Sequence, residues 1–182
     1  MIAKGLDLPL VTLVGVMSGD TELGLPDFRV GERTFQMLTQ VAGRAGRSIL
    51  GGEVILQTYQ PTHYAIQAAK NHDYASFYAQ ELAYRREIGY PPFRHIIRIL
   101  CQANNEHEAH KEATIAAQFL RQLSDKTEIP IDLIAPAPCF FGKINRVYRW
   151  HVLAVCVAPT RLLDGITLRR EWILEIDPLS IL

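Results

Sequence analysis

The segment YPPF, residues 90–93, constrains the fold of this 182-residue chain more than any other short stretch. Each proline disfavours helical backbone in the residue before it, so the helical composition of residues 63–88 has to end at this point. The pattern of apolar residues also changes here, because helical spacing precedes the prolines and a strand-like pattern follows them. The sequence therefore predicts a domain boundary at this segment.

Before this boundary, short strands alternate with helices. Apolar residues 11–17 predict a strand, a loop rich in Gly, Pro and acidic residues follows, and a helix is expected from about Glu32. A second short strand is expected within residues 51–59. We assign residues 1–61 to the end of one domain and residues 62–92 to connecting helices.

After the boundary, the order strand, helix and further strands predicts a small α/β sandwich over residues 93–182. Asn105, followed three positions later by Glu108, predicts the start of a helix that ends near residue 124. Residues 94–103 alternate, and the side chains expected on one face of this strand are His95, Ile97, Ile99 and Cys101. Later strands are expected near residues 131–135, 146–158 and 171–176. The predicted fold class is α/β throughout.

Composition excludes several classes of protein. Hydrophobic residues make up 48% of the chain and charged residues 21%, which is typical of a folded globular protein. The sequence has no uninterrupted apolar run of about 18 residues and no signal peptide at its start, so we expect a cytoplasmic protein without a membrane contact. Because 19 basic residues balance 19 acidic ones, binding to a polyanion has to come from local clusters.

The sequence predicts no metal site. Its three cysteines, Cys101, Cys139 and Cys156, have no CxxC spacing, which argues against both a zinc knuckle and a disulfide framework. The two histidines of HEAHKE, residues 107–112, are three positions apart, whereas a helical zinc motif needs four. A solvated helix face is the favoured interpretation of that segment.

The segment TQVAGRAGR, residues 39–47, ends the helix expected from Glu32. At 100° per residue, Gln40, Arg44 and Arg47 fall within about 60° of one another, while apolar residues cover the opposite side. Gly43 lies beside the arginine face, where a missing side chain lets a ligand approach the backbone. Guanidinium groups match phosphate oxygens, which favours a nucleotide or nucleic-acid phosphate as ligand. The alternative is a solvated basic helix end at the favourable pole of the helix dipole.

A second basic cluster is GKINRVYRWHV, residues 142–152. If it is a strand, Arg146, Tyr148 and Trp150 share one face, while Arg149 and His151 share the other. Aromatic rings stack on bases and cations bind phosphates, so one interpretation is a contact with DNA. The alternative is a core tryptophan covered by the aliphatic parts of the arginines.

Several segments resemble a known family. QVAGRAGR is similar to motif VI of superfamily 2 helicases, and IAKGLDLP is similar to motif V. The chain resembles the PriA family of primosomal replication-restart helicases, also called primosomal protein N′, in four segments: FRVGERTFQMLTQVAGRAGR, GGEVILQTYQPTHYAI, ELAYRREIGYPPF and WILEIDP. The likeness covers nearly the whole chain. Motif VI alone indicates only a superfamily 2 motor, whereas YPPF and EIDP are more specific.

This resemblance implies part of an ATP-dependent 3′→5′ DNA helicase that restarts replication at stalled or branched forks by primosome assembly. Residues 1–61 would be the end of its second RecA-like lobe. Gln40, Arg44 and Arg47 would contact the γ-phosphate of ATP, with Gly43 in the same site, and Arg44 or Arg47 would be the arginine finger.

Motif V of the family implies a second set of contacts. Lys4 would contact single-stranded DNA, and Gly5 and Asp7 would contribute to the ATP site, so that this segment links the nucleotide to the DNA. Without the resemblance, KGLDLP is better explained as a turn before a strand.

The resemblance also assigns residues 93–182 to a C-terminal domain that binds branched and single-stranded DNA. Its partners would include other primosome proteins and the C-terminal tail of single-stranded DNA-binding protein, the latter contacted by Arg161. The side chains implied in DNA binding are Lys143, Arg146, Tyr148, Arg149 and Trp150.

The chain lacks the sequence motifs that complete such an enzyme. It has no G-x-x-x-x-G-K-[ST] loop for phosphates, no DExH-type box for Mg²⁺ and none of the zinc-binding cysteine pairs found in the family. ATP and Mg²⁺ would therefore be bound mainly by the other lobe, and we expect this chain to be inactive alone. The alternative is a stand-alone DNA or protein interaction module that retains motor motifs without an ATPase.

Overall fold

The computed structural model describes residues 12–45 and 52–182, which fall into two compact units that divide between Tyr84 and Arg85. In chain order the described elements are β1 (Leu13–Val16), α1 (Val30–Ala45), β2 (Glu53–Leu56), α2 (Tyr64–Lys70), α3 (Tyr74–Ile88), β3 (His95–Ala103), α4 (Glu106–Thr127), β4 (Ile131–Ile144), β5 (Val147–Cys156), α5 (Pro159–Leu162) and β6 (Trp172–Ile176). The two units divide within α3, and YPPF lies in the second. The predicted α/β class is confirmed.

The first unit is built around a strand, helix, strand connection. β1 and β2 pair in parallel from Leu13 opposite Glu53 to Val16 opposite Leu56, and α1 lies between them in sequence. Parallel neighbours need such a crossover, because a tight turn can join only antiparallel strands. The loop after β1 is fixed to the end of β2 by Asp20, whose carboxylate accepts hydrogen bonds from Thr58 Oγ1 at 2.5 Å and Tyr59 N at 2.7 Å.

The core of the first unit forms where α1, α2 and α3 meet. Phe35 of α1 stacks on Phe77 of α3 with ring centroids 4.3 Å apart, and Leu38 and Ile66 are buried beside them. This packing explains the apolar face expected for the helix that carries the arginine motif. Within the described part of α1, Phe35 and Leu38 are buried and Gln36, Gln40 and Gly43 are exposed.

The helical segment expected over residues 63–88 is interrupted. His72, between α2 and α3, has a left-handed backbone with φ of 53°, which ends α2. The carboxylate of Asp73 then accepts a hydrogen bond from Ser76 N at 2.9 Å, which satisfies a free N–H at the start of α3. The sequence did not predict this break, because residues on both sides of it have helical composition.

The second unit is an antiparallel sheet with one long helix against it. The strand order is β4, β5, β3, β6, and every neighbouring pair is antiparallel. The predicted cap of α4 is confirmed, since Asn105 Oδ1 accepts a hydrogen bond from Glu108 N at 2.8 Å. β4 is longer than the strand expected over residues 131–135, because it continues through residues 136–144 to form a hairpin with β5.

The core of the second unit lies between the sheet and α4. Alanines at positions 109, 113, 116 and 117 of α4 are buried, and these small side chains let the helix approach the sheet closely. Leu120 is fully buried among Ile97, Ile99 and Val152 of the same core cluster. This arrangement confirms that Ile97, Ile99 and Cys101 share a core-facing side of β3.

The opposite face of β3 is also buried, which differs from the simple alternation expected from the sequence. Arg98 on this face is only 3% exposed, and its guanidinium donates to Ser180 O at 3.0 Å and to Glu175 Oε2 at 3.3 Å. Asp177 accepts a hydrogen bond from Ile96 N at 2.9 Å. Residues 175–180, which include the segment EIDP, therefore bind to β3 through both side-chain and backbone atoms.

Candidate nucleic-acid interface

Only part of the predicted phosphate site falls within the described residues. Gln40 and Gly43 lie on the exposed face of α1, and a Cβ at Gly43 would meet no atom within 4 Å. Arg44 belongs to the last turn of this helix. Arg47 and the motif V residues, which are Lys4, Gly5 and Asp7, lie outside the described residues.

The second predicted cluster forms a β-hairpin made by β4 and β5. Ile144 and Val147 are the last paired residues, and Asn145 and Arg146 form the two-residue turn between them. Both turn residues have positive φ, 50° and 69°, as in the tight hairpin turns that match the twist of the strands. The sequence prediction that Arg146 shares a strand face with Tyr148 and Trp150 is therefore wrong, since Arg146 lies in the turn.

Two more cations lie beside this turn. Lys143 Nζ is 2.9 Å from the Tyr148 hydroxyl and 4.3 Å from the centre of its ring. Arg149 lies on the other face of β5, and its guanidinium donates to Phe141 O at 3.5 Å. Together with Arg146 these residues place three positive charges at one end of the hairpin.

No Asp or Glu close in sequence to Lys143, Arg146 and Arg149 neutralises their charges. Between Asp132 and Asp164 the sequence contains no Asp or Glu but four Lys or Arg residues. The chain as a whole is neutral, so this segment concentrates positive charge locally. In a neutral chain, a local cluster of this kind is what binding to a polyanion requires.

Trp150 is tied to the core of the unit. It is half-buried, packs against the core cluster and lies with its ring 4.5 Å from the ring of His110 on α4. Its pairing with Cys101 places it on the face of the sheet that α4 covers. Protein therefore occupies much of its surface, as in the alternative interpretation of a core tryptophan.

Sequence reasoning missed two exposed aromatic residues in the same hairpin. Phe140 and Phe141 are 52% and 53% exposed, and their rings meet edge to face at 5.0 Å. They directly precede Gly142 and Lys143. A doublet of large apolar residues inside a stretch without acidic residues was the available signal.

Arg161 is exposed on the short helix α5, away from the hairpin turn. α5 follows the end of β5, whereas the turn precedes its start, so the length of the strand separates them by roughly 30 Å. The structure thus brings Lys143, Arg146, Tyr148 and Arg149 together but leaves Arg161 in a separate place.

Burial and neighbouring charge affect His151, which lies on the same face of β5 as Arg149. Burial of the ring, followed by the positive charges of Arg98 and Arg149, lowers the pKa of His151 to about 4. Its Nδ1 atom is buried without a hydrogen-bond partner. The imidazole is therefore neutral at pH 7 and adds no charge to the hairpin.

We expect acidification from pH 6.5 to pH 4 to destabilise the second unit through His151. In this range the unfolded chain binds a proton that the folded chain does not, so the free energy of unfolding falls as the pH falls and levels off below both pKa values. The free energy of unfolding should fall by about 1 to 2 kcal/mol. This is less than the full pKa shift would give, because solvent reaches part of the ring.

Urea unfolding at pH 7, 5.5 and 4 would measure this effect. Tryptophan fluorescence reports on the second unit alone, because both tryptophans of the chain, Trp150 and Trp172, belong to it. His151→Leu should reduce the pH dependence, whereas His107→Gln on the exposed part of α4 should leave it unchanged. An unchanged pH dependence in His151→Leu would show that other groups cause it.

Within the described residues, no cluster of three or more His, Cys, Asp or Glu side chains could hold a metal ion. Among the helices in the described part of the chain, none is long and apolar enough to cross a membrane.

The second unit matches a known protein family. The primosomal protein N C-terminal domain family matches residues 86–179, which is nearly all of the second unit. The chain belongs to this family. The primosomal protein N resemblance expected from YPPF and EIDP is thereby confirmed.

Similar proteins extend the likeness to the first unit. The chain is 41% identical over 188 residues to the replication restart protein PriA of Synechocystis, a match that covers 100% of this chain and 22% of that protein. It is 44% identical to the PriA of Bacillus subtilis, with 89% of this chain and 20% of the relative covered, and 42% identical to that of Treponema pallidum, with 84% and 23% covered. The chain thus spans about a fifth to a quarter of the length of these relatives.

Proposed function

We propose that this chain is the C-terminal part of a replication-restart DNA helicase and that its hairpin binds DNA. The observation that carries the proposal is the placement of Lys143, Arg146 and Arg149 at one end of the β4–β5 hairpin, in a stretch without acidic residues. Similarity to replication restart proteins along the whole chain supports it. The ligand would be branched or single-stranded DNA, bound without reading its base sequence.

The chemistry of the hairpin fits a phosphate backbone. Arg146 and Arg149 can each donate two hydrogen bonds to one phosphate group, while Lys143 acts as a compact charge. Because the hairpin presents few cations, the affinity should be modest and sensitive to salt. The three cations of the hairpin suit phosphate groups, so binding would depend on the phosphates rather than on base edges.

In the same proposal, the first unit completes an ATP site that the rest of the helicase supplies. Gln40, Gly43, Arg44 and Arg47 would face the γ-phosphate of ATP, whose Mg²⁺ is bound mainly by another lobe. The exposed face of α1 at Gln40 and Gly43 supports this, because it leaves room for a ligand beside the helix. Lys4, Gly5 and Asp7 would connect this site to bound DNA.

Partner proteins would bind elsewhere on the second unit. Arg161, exposed on α5 and distant from the hairpin turn, would contact the acidic tail of single-stranded DNA-binding protein. This separation would let the domain bind DNA and that partner at the same time. Other primosome proteins would bind the intact helicase.

Removing two hairpin arginines tests the DNA proposal. Arg146→Ala combined with Arg149→Ala should weaken binding of the 182-residue chain to a forked DNA roughly tenfold at low salt, because two phosphate contacts are lost. Fluorescence anisotropy of a labelled fork would measure the change.

A matched control removes the same charge elsewhere in the second unit. Arg121→Ala combined with Lys126→Ala changes two exposed cations in the C-terminal half of α4, which leads to the start of β4 rather than to the hairpin turn, and should leave the affinity nearly unchanged. If both double variants weaken binding equally, net charge rather than the hairpin explains the affinity, and the proposed interface is incorrect.

A further inference from the structure

The pairing of β4 with β5 contains a large irregularity near the hairpin turn. Pro138 is opposite Trp150 and Lys143 is opposite Tyr148, so the chain takes five steps along β4 for two along β5. Three additional residues are therefore accommodated on β4 between these pairs. We call residues 139–142 the aromatic bulge. Bulges of this kind redirect side chains and occur next to functional sites.

The bulge separates an anchored residue from two exposed ones. Cys139 is only 3% exposed, and its Sγ lies 3.6 Å from the guanidinium of Arg98. Phe140 and Phe141, which follow it, are each about half exposed. Their contact with each other at 5.0 Å leaves much of both rings open to solvent. The buried Cys139 thus anchors the bulge, and the two aromatic side chains after it are exposed.

The surroundings of these rings are positively charged. Arg149 donates to the backbone oxygen of Phe141, and Lys143 follows two positions after it in the chain. Arg146 lies in the adjoining turn, and residues 133–163 contain no Asp or Glu. Aromatic rings beside cations are complementary to a strand whose bases are unpaired, because the bases can stack while the phosphates bind the cations.

Two other partners fit this surface less well. A peptide strand added to the edge of the sheet needs a regular row of backbone hydrogen bonds, which the bulge interrupts. A membrane with anionic lipids would also attract aromatic and basic side chains, but the surface comprises only two rings and three cations at a hairpin end. A single-stranded nucleic acid can use this small site one or two bases at a time.

We propose that Phe140 and Phe141 stack on unpaired bases of single-stranded DNA while the neighbouring cations bind its phosphates. This inference rests on the proposed DNA binding by the hairpin and adds the side chains that would contact the bases, Phe140 and Phe141. The three extra residues of β4 would then serve to place both rings at the surface.

The test compares a single-stranded dT oligonucleotide with an abasic oligonucleotide of the same length. The wild-type 182-residue chain should bind the dT strand roughly tenfold more tightly, since only that strand offers bases for stacking. Phe140→Leu combined with Phe141→Leu keeps apolar side chains but removes both rings. This variant should bind the two strands with similar affinity, and its dependence on salt should equal that of the wild type.

Three results separate the outcomes. If the double leucine variant retains the preference for bases, the stacking inference is overturned while the DNA proposal stands. If the wild-type chain binds neither strand, both fail together. If the same variant instead loses binding to vesicles that contain phosphatidylserine, while its binding to dT is unchanged, the rings serve a lipid surface and the inference is again overturned. Thermal unfolding of the variant should match the wild type, because both rings are exposed.

Discussion

Replacing Arg44 with alanine in a full helicase that contains this chain is expected to reduce DNA-stimulated ATP hydrolysis by roughly 10³-fold or more. An arginine at the γ-phosphate stabilises charge that develops in the transition state, so its loss affects turnover far more than nucleotide binding. Steady-state ATPase rates and the affinity for a non-hydrolysable ATP analogue would separate the two effects. Arg44→Lys should recover only part of the rate, because lysine lacks the planar pair of donors.

Gln36→Ala provides the control for this experiment. Gln36 lies exposed on α1, one turn before Gln40, and should tolerate alanine with normal turnover. Loss of nucleotide binding with unchanged residual turnover in Arg44→Ala would contradict a finger role. The 182-residue chain alone should hydrolyse no ATP, since its sequence has no phosphate-binding loop.

Leu120→Ala is expected to destabilise the second unit by about 2 to 5 kcal/mol. Leu120 is fully buried between α4 and the sheet, so truncation removes apolar contacts and leaves a cavity that the surrounding strands cannot fill. Urea unfolding followed by tryptophan fluorescence would measure the loss in this unit.

Arg121→Ala, at the next position on the exposed side of the same helix, should change the stability by no more than about 0.5 kcal/mol. Equal effects of the two substitutions would mean that α4 stabilises the second unit only through the helical propensity of its residues. The described packing of Leu120 against β3 and β5 would then not account for the stability of the unit.

The local signals in the sequence predicted much of the second unit. Asn105 and Glu108 marked the start of α4, because a side-chain cap needs only residues that are close in sequence. The apolar positions of β3 that face α4 also followed from simple alternation. The burial of Arg98 on the other face did not, since it depends on Glu175 and Ser180 at the far end of the chain.

The candidate interface was predicted only in outline. The basic and aromatic composition of residues 142–152 indicated the hairpin, but the turn at Asn145 and Arg146 and the bulge depend on the register between β4 and β5. Register follows from pairing with a partner strand and cannot be taken from one segment alone. For the same reason the sequence left Trp150 open between base stacking and core packing, whereas the structure packs it against the core.

The dependence of DNA affinity on salt is the most direct test of the proposal that the hairpin binds the DNA backbone. For the 182-residue chain and a single-stranded oligonucleotide, a plot of log K against log[salt] should have a slope of about −2, because Lys143, Arg146 and Arg149 can bind about three phosphates. The Arg146→Ala, Arg149→Ala double variant should reduce this slope to about −1. A slope near zero in the wild type, or an unchanged slope in the variant, would contradict the proposed interface.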